Sequence, residues 1–188
     1  MTIYRRGKEP EFPLFLTLCG SNLMVQKFFM LTEQNKALVL QFYKAFDDRR
    51  MEKALEYLDP DFVAHMAGIP EPLDGEGFKQ IGMSFYLAFS QGQHVFDEVI
   101  VSDDRVVTCG TFTATHLGEF QGLPPTGKQI SLSVMHIDRV EDGKIVEHWG
   151  QGDALGLMQQ LGIIFLPGPK LLPYVLKGVA AKIFKKFA

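Results

Sequence analysis

Few residues in this chain could do chemistry unaided: five histidines (His65, His94, His116, His136, His148) and an acid between a strand-like and a helix-like segment, Asp153. There is no GxSxG elbow, no GxxxxGK[ST] phosphate loop and no HExxH pair, so serine-hydrolase, phosphate-loop and zinc-protease chemistries have no support. Imidazole and carboxylate groups suit proton transfer. In HWGQGDALGLMQQLG, Asp153 has two readings. An Asp before a helix accepts a hydrogen bond from the first-turn amides, a contribution of about 1 kcal/mol. A carboxylate at the rim of an apolar cavity, ionised but partly desolvated, suits a base for carbon acids. One oxygen could serve each role, and spacing leaves both open.

Strand parity ranks the histidines. In a regular last strand Glu147, Trp149, Gln151 and Asp153 share one face and His148, Gly150 and Gly152 the other, so His148 is expected to point away from Asp153. The two glycines suggest close packing or a bulge, which would reverse the parity beyond it. His136 shares the apolar face of Ile130, Leu132 and Val134 and is the preferred histidine of the cavity wall. His116 follows Phe112 and Ala114 at the mouth of the loop GEFQGLPPTGK, where it could line an entrance or cap the turn.

These residues need a scaffold. TEQNKALVLQFYKAF has a plausible cap at Thr32 and helical apolar spacing, and a short helix over Met51–Leu58 follows. DPDFVAHMAG reads as a turn and short strand, and LDGEGFKQIGMSFYLAFS as a helix opening near Asp74. From His94 the period becomes two: strands joined at Ser102-Asp103-Asp104, then ISLSVMHIDRV, a turn at Glu141-Asp142-Gly143, KIVEHWGQGD, and a last helix after Asp153. Helices followed by a meander of antiparallel strands predict an α+β fold, a bent sheet wrapped round the first long helix as a cone with a cavity at its open end. The expected organisation is an extension over 1–31, one domain over 32–162, and a Pro-broken linker with a basic amphipathic helix over 163–188.

The 188 residues are enough for one substantial core, and 46% hydrophobic with 22% charged is an ordinary globular balance. Cys19 and Cys109 form no CxxC pair, which argues against a disulfide framework or zinc site and for a reducing compartment. The net charge of −3 conceals an asymmetry: residues 32–166 hold 20 acidic and 10 basic residues, and 167–188 hold five lysines and no acid. A central domain this acidic is a poor nucleic-acid partner. Arg5-Arg6 and PLFLTLCG loosely suggest an export signal. Leu18 before Cys19 is too large for a lipoprotein cleavage site, so a cytoplasmic protein is expected, with Met30 an alternative start. In the tail, Val175, Leu176, Val179, Ala180, Ile183, Phe184 and Phe187 share one helical face and Lys177, Lys182, Lys185 and Lys186 the other. Residues 173–187 could thus lie on an anionic membrane surface, or pack on the domain or a partner.

The run THLGEFQGLPPTGKQISLSVMHIDRVEDGKIVEHWGQGDALGLMQQLG closely resembles the SnoaL-like polyketide (ester) cyclases of the nuclear transport factor 2-like superfamily, and the resemblance extends back through NKALVLQFYKAF over roughly residues 32–162. It implies a cone-shaped α+β fold, a homodimer or higher homo-oligomer, no metal or organic cofactor, and a hydrophobic small-molecule partner. It further implies an aspartate base at the end of the last long strand, matched by Asp153. That base takes an acidic carbon proton from a tricyclic polyketide ester, whose enolate closes a ring on an aldehyde or ketone of the same molecule. His136 is the nearest match to an assisting histidine, though its local spacing departs from the pattern. Trp149, Phe42, Tyr43, Phe85 and Phe89 suit an aromatic pocket or simply the core, and His65 and His116 join them as substrate-contact candidates. A non-catalytic binder of an apolar ligand, or an oligomerisation module of the same fold, is the alternative.

Overall fold

The computed structural model describes residues 2–7, 23–163, 170, 171, 173, 174 and 177. Its architecture is α+β. Six strands, β1 (Thr2–Arg5), β2 (Leu58–Met66), β3 (Phe89–Ser102), β4 (Arg105–His116), β5 (Gln129–Glu141) and β6 (Lys144–Gly152), form one sheet in the order β1-β3-β4-β5-β6-β2. β3 to β6 pair antiparallel, as a meander must, while β2 joins β6 in parallel. Helices α1 (Leu23–Asp47), α2 (Met51–Leu55), α3 (Gly75–Ala88) and α4 (Ala154–Leu161) complete the fold.

The curvature encloses one face of the sheet. In β5, Ile130, Leu132, Val134, His136, Asp138 and Val140 alternate with exposed Gln129, Ser131, Ser133 and Met135, so one side is sealed and the other meets water. Val39, Phe42 and Tyr43 of α1 pack into a first core cluster with Phe62, Phe78, Val101, Val106 and Ile145. A second cluster, including Phe89, Phe112, Ile130, Leu132, Leu157 and Leu161, fills the other end. The hairpin between β5 and β6 turns at Asp142 and Gly143, both with positive φ (47° and 75°), the conformation that a tight turn matched to strand twist demands.

Three local expectations need correction. Thr32 does not start α1, which begins at Leu23; Thr32 is buried within the helix and its Oγ1 donates to the Phe29 carbonyl, 2.8 Å away. The preceding turns leave Phe28, Met30 and Leu31 exposed, so they carry no burial period that sequence could reveal. α2 stops at Leu55 because the chain is drawn into the sheet: the Tyr57 carbonyl already accepts from the Ile145 amide, 2.8 Å away. Ahead of the domain, Thr2–Arg5 extends the sheet edge by pairing with Glu98–Val101. PLFLTLCG lies outside the described residues, as does almost all of the amphipathic tail helix. Among the described residues no helix is long and apolar enough to cross a membrane.

α3 and α4 each open on an aspartate. Asp74 Oδ1 accepts from the Gly77 amide and Asp153 Oδ1 from the Gly156 amide, both at 2.8 Å. Replacing Asp74 with Ala is expected to lower unfolding free energy by about 1 kcal/mol, read from the urea midpoint at unchanged slope; an unaltered midpoint would show that the cap contributes nothing.

Candidate active site

Between the two core clusters lies a cavity of about 260 Å³, walled by β4, β5 and β6, by Phe42 and Tyr43 of α1, by Phe85 of α3, by Leu157 and Met158 of α4, and by Phe120 and Gln121 of the loop after β4. Among the described residues, no Lys, Arg, Asp or Glu lines it. Its polar side chains are Tyr43, three histidines (His94, His136, His148) and Gln121.

Sheet register assembles the histidines. β5 and β6 place Val134 opposite Gly152, His136 opposite Gly150 and Asp138 opposite His148, so these six residues share the inner face. Pairing then passes from Arg139–Glu147 to Val140–Ile145, which leaves Val146 as an extra residue on β6. This bulge lets both Ile145 and His148 face inward although they are three positions apart.

Asp138 has no exposed surface, and both its oxygens are engaged: His148 Nδ1 donates to Oδ1 at 2.8 Å and Tyr43 Oη to Oδ2 at 3.0 Å. Burial, reinforced by the Asp138 charge, raises the Tyr43 phenol well above its ordinary range, so it remains a donor. With Nδ1–H given to a carboxylate, the lone pair of His148 is on Nε2. That atom is 2.9 Å from where a Cβ on Gly150 would stand, so glycine here leaves the basic nitrogen uncovered. His136 stacks against His148 with ring centroids 5.4 Å apart, and neither of its ring nitrogens has a protein partner. Burial, and then the neighbouring His148 and His94, push its pKa well below the usual imidazole value, so His136 is neutral at neutral pH.

Of the residues marked from sequence, Phe42, Tyr43, Phe85 and His136 line the cavity. Asp153 does not: both its neighbours Gly152 and Ala154 touch the cavity, but its carboxylate is folded onto Gly156 as the α4 cap and exposed to solvent. The register is the reason, because with His136 and Gly150 paired inward, Trp149, Gln151 and Asp153 have the outward parity. Trp149 is 44% exposed and stacks on His65, centroids 3.9 Å apart, on the outside of β6 and β2. His116 is buried behind the wall, where Nδ1 meets Thr126 Oγ1 at 3.1 Å and anchors the loop. Phe89 is equally buried and packs on Phe85, His116 and Phe120 in the layer behind the cavity.

Sequence reasoning missed the Asp138–His148 pair. A signal existed: Asp138 continues the inward parity of Ile130, Leu132, Val134 and His136, and a carboxylate at a core position requires partners. The partner could not be named without the register of β6.

Comparison with known proteins agrees with this fold. A model of the SnoaL-like polyketide cyclase family matches residues 37–161. Nogalonic acid methyl ester cyclase of Streptomyces nogalater is 40% identical over 122 residues, 63% of this chain and 90% of that protein. Aklanonic acid methyl ester cyclase DnrD of Streptomyces peucetius is 33% identical over 110 residues, 57% of this chain and 73% of that one. Among solved structures, IdmH of Streptomyces antibioticus superposes with a TM-score of 0.63 at 30% identity, covering 69% of this chain and 99% of its own. AclR of Streptomyces galilaeus gives 0.68 at 28% identity, covering 80% and 99%. A family match over residues 37–161, on a curved sheet that encloses an apolar cavity, makes this chain a member of the SnoaL-like polyketide cyclase family.

Proposed function

We propose that this protein closes a carbon ring in a neutral, hydrophobic polyketide ester by an intramolecular aldol reaction, with His148 as base and His136 as hydrogen-bond donor to the reacting oxygen. The observation that carries the reading is the buried Asp138–His148 pair, which points a free imidazole nitrogen over Gly150 at an apolar cavity. Nε2 of His148 takes a proton from a carbon flanked by carbonyls, and the C–H electron pair becomes the enolate. The enolate carbon attacks an aldehyde or ketone carbon of the same molecule, a C–C bond forms, and the proton on His148 returns to the alkoxide. A neutral imidazole such as His136 can donate to the enolate and alkoxide oxygens without the cost of a buried positive charge.

Among the described residues the lining carries no formal charge, which favours a neutral ester over a free carboxylate that would lose its hydration with no cation there to meet it. The two cyclase relatives are named for methyl esters, compounds of this kind. The outer sheet face, with Val63, Met135 and Trp149 exposed, supports pairing of two copies through that face.

With nogalonic acid methyl ester as substrate, His148→Gln is expected to lower kcat by about 10²–10⁴ with little change in KM, while Asp153→Asn, still able to cap α4, keeps wild-type turnover. The reverse pattern would return the base to Asp153. Unfolded His136 binds a proton near pH 6.5 and folded His136 does so only at lower pH, so the unfolded state binds more protons in that window. Stability should therefore fall below pH 6.5 by up to about 1.4 kcal/mol per pH unit from this residue and be flat above it. Urea unfolding at stepped pH should show a shallower fall for His136→Gln; identical slopes would show that His136 is not held neutral. Trp149→Glu should halve the solution mass measured by light scattering if the outer face joins two copies, and an unchanged mass would exclude that face.

A further inference from the structure

A second carboxylate–imidazole pair borders the same cavity. Asp47, the last residue of α1, accepts the His94 amide on Oδ2 at 2.8 Å and holds His94 Nδ1 on Oδ1 at 2.6 Å. Holding both the main chain and the ring fixes the imidazole, and the two side chains are only 8% and 9% exposed. Just upstream, β3 changes register between Ser90 and Gln93, with Gln91 at φ 55°, which re-aims the strand toward Asp47. A carboxylate only accepts, so Nδ1 carries the hydrogen and Nε2 the lone pair.

His94 differs from His148 in what stands behind it. It borders the apolar cavity and also a polar recess of about 250 Å³ formed with Lys44, Asp47, Asp48 and Gln93. With Nδ1 engaged by Asp47, Nε2 is the ring nitrogen left to serve the cavity that His94 lines. Asp138, behind His148, has no exposure. His136 lies between the two pairs, its ring centroid 5.8 Å from that of His94 and 5.4 Å from that of His148.

We propose that His94, held by Asp47, is a second proton-transfer residue of the cavity, able to take a carbon-bound proton on the other side of a carbonyl whose oxygen rests on His136. The inference builds on the acid–base reading of the cavity and adds an activity: exchange of carbon-bound protons with solvent in neutral ketones that bear hydrogens on both flanking carbons. The C–H bond breaks, its electron pair becomes the enolate, and the proton binds His94 Nε2. The Nδ1 hydrogen passes to Asp47 and from there to water in the recess, and the reverse sequence reprotonates the enolate. A proton taken by His148 has no such outlet and goes back to the substrate, whereas one taken by His94 is traded with solvent.

The test is nitrogen NMR of the full-length protein labelled with ¹⁵N-histidine, with 2-naphthol as a neutral hydroxyl probe. His94 is expected as the Nδ1–H tautomer, its bare Nε2 resonance shifting when 2-naphthol is added, and Asp47→Asn should abolish the tautomer preference. An Nε2–H tautomer in the wild type, which needs no variant to measure, overturns the proposal, as does a preference that survives in Asp47→Asn. If 2-naphthol shifts His148 and not His94, the second proton-transfer residue is excluded and the ring-closing reading stands. If it shifts neither, both readings fall.

Discussion

The structure is organised round one carboxylate that water cannot reach. Asp138 sits on a strand face otherwise filled by aliphatic residues and His136, and withdrawing such a group from water costs several kcal/mol unless its lone pairs are used. Tyr43 and His148 meet that need from different elements, the first helix and the last strand. The same two hydrogen bonds therefore lock α1 against the concave sheet, fix the tilt of the His148 ring, and dictate which of its nitrogens is free. Packing and chemistry are here one set of contacts, so a change that disturbs either is felt in both.

Around that point the cavity is kept empty by what is missing as much as by what is present. Gly150 and Gly152 remove side chains on the inner face of β6 where the partner strand supplies His136 and Val134. The apolar walls then raise the cost of charge, which explains why the central histidine is neutral while its neighbours are held by acids. An imidazole without partners in so apolar a place is costly to keep and leaves both its nitrogens ready for a substrate oxygen.

The fold was largely legible in the sequence because period two, turn residues and helix starts are local properties: the β5 alternation, the Asp142-Gly143 turn, the helix opening near Asp74 and the cap at Asp153 all appear as read. The cavity was less so. Phe42, Tyr43, Phe85 and His136 were recognised, since apolar parity identifies inner faces. Trp149 and His65 stand outside the cavity and Asp153 caps α4 with its carboxylate in solvent, because an aromatic or acidic residue near a strand end looks the same whichever way it points, and only pairing with β5 decides. Phe89 and His116 were assigned to the lining yet stand one layer behind it, a distinction of a few ångströms that no spacing encodes. The two Asp–His pairs span 10 and 47 positions, separations fixed by the folded sheet and helix rather than by local pattern.

One extra residue in β6, Val146, decides which half of that strand sees the interior. Were Val146 paired with Arg139 instead of bulged out, the stretch from Glu147 to Gly152 would turn over, presenting glutamate and tryptophan to the cavity and histidine to water. The reactive inventory of the pocket is thus stored partly as a phase. A lineage built on this sheet could exchange one set of functional groups for another by forming or relieving this single bulge, with every side chain in the strand left unaltered.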